Sequence, residues 1–151
     1  MFLRNSAKAI IVHEGRLLAI RSRDAAGGYY ILPGGGQRAG ETLVETLKRE
    51  VREETGAEVE AGELRFIREY VARNHEFAEQ EPDVHSLEFL FECRLVRAPD
   101  EERQTHPDEN QLGWEWLDLE RLEERPFWPK VLRRLLAKPS ADTPVYLGEV
   151  N

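Results

Sequence analysis

Alternating apolar and polar positions divide the chain into short extended runs around one strongly periodic segment. Leu43, Leu47 and Val51 recur every four residues, which predicts a helix over 42–55 with Gly56 as its C-terminal stop. Before it, Lys8 to His13 and Arg16 to Arg21 read as strands joined by the two-residue turn Glu14-Gly15. Asp24 to Gly28 reads as a loop, and Tyr29 to Leu32 as a short strand that Pro33 ends. After the helix, Glu58 to Glu60 is short and extended, while Leu64 to Val71 alternates imperfectly, as a bulged strand does.

His85 to Leu95 alternates cleanly, with Leu87, Phe89, Phe91, Cys93 and Leu95 on one face; it belongs in the middle of a mixed sheet, with Glu88 and Glu92 turned to solvent. Gly113 to Leu117 is a further strand and Asp118 to Glu124 a helical turn. A last helix has Pro129 in its first turn and carries Val131, Leu132, Leu135 and Leu136. Asn74 to Val84 and Ala98 to Asn110 are polar loops, and the tail over 139–151 reads as loosely held. With no repeat and no internal boundary, the order predicts one α+β domain over 1–151, a mixed sheet between helices.

The helix carries a conflict. Glu50, Glu53 and Glu54, spaced i, i+3, i+4, share one edge of it. Like charges at this spacing cost roughly 0.2–0.5 kcal/mol each, and a helix C-terminus favours cations. A divalent cation removes the conflict, because a hard ion such as Mg²⁺ takes oxygen ligands and bridges to phosphates. Arg49 stands where its fork could orient one carboxylate, and Gly34-Gly35-Gly36 reads as a flexible turn whose backbone can approach an ion or a phosphate.

The spacing around these residues is more specific than the helix alone. Gly35, five residues, Glu41, seven residues, then Arg49-Glu50-Val51-x-Glu53-Glu54-x-Gly56-Ala57 resembles the signature box of the Nudix hydrolases, GX5EX7REUXEEXGU. A chance match at the fixed positions is on the order of one in 10⁸ per starting point, so coincidence is a poor explanation. One position departs from the pattern: Ala57 stands where a bulky aliphatic is usual.

The resemblance implies a Nudix-type α/β/α sandwich and hydrolysis of a nucleoside diphosphate linked to another group X, giving a nucleoside monophosphate and phosphorylated X. It implies Mg²⁺ (or Mn²⁺) held by Glu50, Glu53 and Glu54 with the Gly34 carbonyl, Glu53 being favoured for bridging. The general base would be a box glutamate or Glu109, whose neighbour Asp108 shares its place in the loop before the tryptophan strand. Arg49 and Glu41 would orient the ligands, and Gly56 would close the helix. Arg21 would contact a substrate phosphate, Tyr30 would line a nucleobase pocket, and Gly35 and Gly36 would lie against the substrate. ADP-ribose-like nucleotide sugars lead the substrate classes, with oxidised nucleoside triphosphates, dinucleoside polyphosphates and a non-catalytic nucleotide sensor as alternatives.

Charge and composition narrow the partners. A net charge of −8 with 33% charged residues argues against nucleic-acid and anionic-membrane surfaces, which ask for a basic footprint, but leaves a metal-bound phosphorylated small molecule open. Cys93 is alone, so no internal disulfide forms, and its apolar run suggests a buried thiol in a reducing compartment. The N-terminal run of Ala9 to Val12 is too short for a signal peptide or a span, which predicts a cytoplasmic protein. The Phe-rich strand offers a surface on which two copies could form a homodimer.

Overall fold

The computed structural model describes residues 2–76, 78–105 and 110–151. Eight strands and two α-helices follow in the order β1 (Phe2–His13), β2 (Arg16–Asp24), β3 (Gly27–Ile31), β4 (Gly34–Gly36), α1 (Leu43–Thr55), β5 (Glu58–Val71), β6 (Val84–Arg97), β7 (Gln111–Asp118), α2 (Lys130–Ala137) and β8 (Tyr146–Glu149). The strands form a sheet in the order β3-β2-β1-β6-β5-β8, with β4 added beside β1 and β7 beside β2. β1 runs parallel to β6 and β5 parallel to β8, while the other pairs are antiparallel. This is the mixed sheet the alternation predicts, with the Phe-rich strand β6 inside it between β1 and β5.

Each face of the sheet buries its own core. On one face Leu47 and Val51 of α1 pack, fully buried, against Ala7, Ala9 and Ile11 of β1. On the other, Leu132 and Leu136 of α2 pack against Ile10, Leu17, Leu90 and Phe127. Truncating Leu47 to Ala would cost about 2–5 kcal/mol, because the site is enclosed on all sides. Ala57, fully buried in the first core, fits there as a small residue. α1 starts at a capping box, Thr42 accepting from the Glu45 amide and Glu45 from the Thr42 amide, and ends at Gly56 in the left-handed conformation with φ 74°.

The hairpin turn is as expected: Glu14 and Gly15 have φ 51° and 75°, the two positive values a type I′ turn needs. β1 and β2 pair only next to it, at Val12–Leu17 and His13–Arg16. Beyond that point β1 takes β4 as its neighbour and β2 takes β3, so the two halves of the sheet part at the glycine run.

Four expectations are corrected. Asp24 to Gly28 is not a loop, because β2 continues to Asp24 and pairs with Gly27 across a tight turn. Gly34-Gly35-Gly36 is not a flexible turn but a strand in register with Lys8, Ala7 and Ser6. Glu88 is not solvent-exposed; it is half-buried in an ion pair with the buried Arg68 at 2.8 Å, whereas Glu92 is exposed and pairs with Arg65 at 2.5 Å. The tail is not loose, since β8 adds to the edge of β5, the Val150 amide donates to the Glu69 carbonyl, and Arg68 donates to the Val150 carbonyl at 2.9 Å. In each case backbone pairing, which composition does not reveal, overrides a local preference. Cys93 is half-buried, and burial pushes its thiol up to about 12. Among the described residues no helix is long and apolar enough to cross a membrane.

Candidate active site

Antiparallel pairing fixes what the glycine strand presents. The Ala9 amide donates to the Pro33 carbonyl and the Gln37 amide to the Asn5 carbonyl, so residues 33, 35 and 37 face β1, and Gly34 and Gly36 turn their backbone groups to the opposite edge. Among the described residues no strand covers that edge. α1 covers it instead: the Gly34 amide donates to Glu54 Oε1 at 2.7 Å, and the Gly36 carbonyl accepts from Arg49 Nη2 at 3.1 Å. A side chain on Gly35 would push Glu50 aside, because a Cβ would lie 2.6 Å from the Glu50 carboxyl carbon.

Arg49 is the fastener of the cluster. Its Nε and Nη2 donate to the two oxygens of Glu41 at 2.6 and 2.9 Å, and its Nη1 donates to Glu50 at 2.9 Å and Glu53 at 3.3 Å. Only 14% of the Arg49 side chain is exposed, which strengthens these charge-assisted bonds. Glu41 also accepts from the Arg38 amide and the Thr46 hydroxyl. Arg49 first, then the Arg38 amide, hold its carboxyl down at about 2. Glu41 thus reaches the glycine strand through Arg49.

Glu54 has the opposite environment. It is 4% exposed, accepts from the Gly34 amide and the Gln111 side chain, and makes no ion pair within the described residues. Burial pushes its carboxyl up to about 7, against the lowering influence of Lys8, the Gly34 amide and Gln111. The last turn of α1 is otherwise closed by the segment from 98 to 105. The Asp100 amide donates to the Thr55 carbonyl, the Thr105 amide to Glu53, and Gln104 Nε2 to the Glu54 carbonyl at 2.5 Å.

The structure therefore brings Gly34, Gly35, Gly36, Glu41, Arg49, Glu50, Glu53 and Glu54 together, and Gly56 ends their helix. Glu109 and Asp108 lie outside the described residues. On either side of them, Thr105 and Gln111 bond to the helix turn that carries Glu53 and Glu54. Gln111 was missed in the sequence, where an amide at the start of a strand carries no signal.

Arg21 and Tyr30 stand apart from the carboxylates, paired across β2 and β3. The Tyr30 hydroxyl accepts from Arg125 Nη2 at 2.8 Å and donates to Glu115 at 3.2 Å, and the Arg125 guanidinium covers one face of its ring 5.0 Å from the centroid. Arg21 reaches Glu115 at 3.8 Å. Arg125 and Glu115 were also missed, and no pattern local to either residue links it to Tyr30.

The donor set suits a hard divalent ion. Arg49 takes one oxygen each of Glu50 and Glu53, leaving Glu50 Oε2 and Glu53 Oε1 uncommitted among the described residues, and the Gly34 carbonyl shares their edge. Among the described residues no three of the carboxylates meet at metal-binding distances.

Known proteins share this architecture. A Nudix hydrolase from Nitrosomonas europaea superposes with a TM-score of 0.72 at 18% identity, covering 90% of this chain and 88% of its own. An ADP-ribose pyrophosphatase from Streptococcus suis gives 0.61 at 18% identity over 98% of both chains. A MutT Nudix hydrolase from Burkholderia pseudomallei gives 0.62 at 26% identity over 80% of this chain and 86% of that one. The NUDIX domain description matches residues 3–138, which includes the glycine strand, the whole carboxylate helix and both cores. A match of that extent makes the box more than a local coincidence, and the chain belongs to the Nudix family of pyrophosphohydrolases.

Proposed function

We propose that this protein hydrolyses a nucleoside diphosphate linked to X, giving a nucleoside monophosphate and X-phosphate, with ADP-ribose-like nucleotide sugars as the first substrates to test. The observation that carries the reading is that Glu50, Glu53 and Glu54 share one helix edge, laid against the outward edge of the glycine strand.

Glu50, Glu53, Glu54 and the Gly34 carbonyl would hold Mg²⁺ or Mn²⁺. Such an ion neutralises charge on the diphosphate and lowers the pKa of bound water. The chain's own residues do the rest. Arg49, locked by Glu41, fixes where Glu50 and Glu53 point, so the ligands do not have to be ordered during the reaction. A carboxylate, either a box glutamate or Glu109, accepts the proton of the attacking water as its oxygen bonds to phosphorus and the bridging P–O bond breaks. The outward Gly36 amide lies where a phosphate oxygen could accept from it. Arg21, half exposed, remains available to a second phosphate, and Tyr30, partly buried against the core beside it, is the candidate for a nucleobase contact.

Chromatographic product detection with ADP-ribose, nucleoside triphosphates and dinucleoside polyphosphates, in Mg²⁺, Mn²⁺ and EDTA, tests this reading. The expected result is metal-dependent release of nucleoside monophosphate that EDTA abolishes. Turnover undiminished in EDTA, or none on any diphosphate-linked compound, would overturn it.

A further inference from the structure

The other side of the glycine strand carries charge that the reaction above leaves unused. The register of β1, β6 and β5 sets Arg4, Ser86 and Tyr70 in one row, Ser6, Glu88 and Arg68 in the next, and Lys8, Leu90 and Phe66 in a third. Residues paired in this way share a face, so the patch sets three cations against one carboxylate in a chain of net charge −8. Arg68 is already committed, to Glu88 at 2.8 Å and to the Val150 carbonyl at 2.9 Å. The side chains of Arg4 and Lys8 make no ion pair within the described residues and feel Glu88, and for Lys8 also Glu54, only at longer range.

Both cations lie directly under the glycines. A Cβ on Gly36 would come within 2.5 Å of Arg4 Nε and Nη2, and one on Gly34 within 2.9 Å of Lys8 Cδ, while one on Gly35 would meet Glu50 on the opposite face at 2.6 Å. The outward edge of the strand thus has the box carboxylates on one side and Arg4 and Lys8 on the other. Gly34 and Gly36 are about 7 Å apart along the strand, close enough for one tetrahedral anion to be reached from both sides. Two cations without an ion-pair partner among the described residues, set along the glycine strand, are an arrangement that an anionic, oxygen-rich ligand would complete.

We propose that Arg4 and Lys8 form a second anion subsite, which takes a phosphoryl group of the substrate beyond the diphosphate held at the glutamates. The inference rests on the pyrophosphohydrolase reading and changes the order of its substrates: the preferred X carries a further phosphate, so chains of three or more phosphoryl groups move ahead of the ADP-ribose-like sugars that are tested first. Arg4 supplies a planar fork and Lys8 a point charge, and both act by positioning the chain along the glycine edge.

Diadenosine di-, tri- and tetraphosphate, identical at both ends, give the test. With Mg²⁺, kcat/KM rises roughly tenfold from the diphosphate to the triphosphate, as one charge-assisted contact allows. In R4Q/K8M that ratio falls to about one, and in the charge-retaining R4K/K8R it survives. Titration calorimetry of inorganic tripolyphosphate against pyrophosphate, with Ca²⁺ in place of Mg²⁺, reads the same preference without turnover. A wild-type ratio near one in both measurements, or a ratio unchanged in R4Q/K8M, overturns the proposal. Hydrolysis without the preference removes the subsite and leaves the enzyme reading standing; the calorimetric preference without hydrolysis removes the enzyme reading and leaves the subsite. Should R4Q/K8M fail to fold, the single variant R4Q and the wild-type ladder still decide.

Discussion

Glu41 and Glu54 belong to the same motif, and their surroundings drive them in opposite directions. Glu41 meets a guanidinium fork, a backbone amide and a hydroxyl, and its carboxyl falls to about 2. Glu54 meets an amide and a carboxamide but no cation at ion-pair distance, and burial raises it to about 7. One carboxylate is fully compensated and fastens Arg49 in place. The other is buried with no cation at ion-pair distance among the described residues, a cost that a bound divalent ion would offset. The difference separates the scaffold of the site from its working part, and each variant below attacks one side of it.

The largest effect is expected from Glu53→Gln. Glu53 shares Arg49 with Glu50 through its longest contact, 3.3 Å, so losing its charge leaves the fastening intact. Steady-state kinetics in saturating Mg²⁺ should show kcat reduced by roughly 10²–10³, on the scale of removing one electrostatic contributor to a transition state, with a melting temperature close to wild type. Wild-type turnover would place the working charge elsewhere.

Glu54→Gln acts on that burial cost, in metal-free protein. Glu54 has its ordinary value of 4.5 when unfolded and about 7 when folded. Between those values the folded chain binds a proton that the unfolded chain has released, so stability falls as pH rises through this window and stays low above it. Glutamine removes that slope: it keeps an acceptor for the Gly34 amide, and Gln111 can turn its carbonyl to meet it. Urea melts in EDTA should find the variant level with wild type near pH 4 and more stable at pH 8, by up to about 3 kcal/mol. Mg²⁺ should then stabilise wild type at pH 8 and the variant much less. A variant that is less stable than wild type at pH 8 without metal would show that Glu54 is satisfied as it stands.

How much of this was legible beforehand depends on which interactions are local. The helix, its cap residues and the box spacing lie within two dozen consecutive positions, and periodicity exposed them. The hairpin at Glu14-Gly15 was readable for the same reason, since a type I′ turn selects its own residues. The pairing of Gly34 to Gly36 with β1, the ion pair of Glu88 with Arg68 and the docking of β8 are made by residues far apart in the chain. Gln111 and Arg125 were invisible for that reason too, each reaching its partner from another strand or turn. The alternation of β6 even misled, since a polar face on a central strand looks solvated until a neighbouring strand supplies its counter-ion. Glu109, read as a candidate base, lies outside the described residues.

Arg49→Gln breaks the compensated side. Glutamine cannot hold both oxygens of Glu41 while reaching Glu50 and Glu53, so the ligands lose their orientation and the Gly36 carbonyl loses a donor. Metal affinity or activity should fall roughly 10–100-fold, as when an orienting partner of a metal ligand is removed. The variant also changes the acid limb of stability. In wild type the lowered carboxyl of Glu41 contributes stability above its unfolded value of 4.5 that is lost as pH falls toward 2. In R49Q that dependence should flatten, because no cation holds Glu41 down; melts from pH 6 to 2 as steep as wild type would count against the fastening.

Gly35→Ala is the smallest change and the sharpest on geometry. The residue's backbone is paired with Ala7 and need not move, but the added methyl lies 2.6 Å from the Glu50 carboxyl carbon, well inside contact distance. Glu50 must swing away, and Arg49 can follow only by weakening its hold on Glu41, since one guanidinium serves both. The two sides of the comparison are thus linked through one glycine. Calorimetry with Mn²⁺ should show affinity lowered about tenfold, accompanied by a rise in the Glu41 titration followed by NMR. An affinity loss with Glu41 unmoved would mean that Glu50 relocates without loosening the fastener, and that the ligands and their scaffold are independent after all.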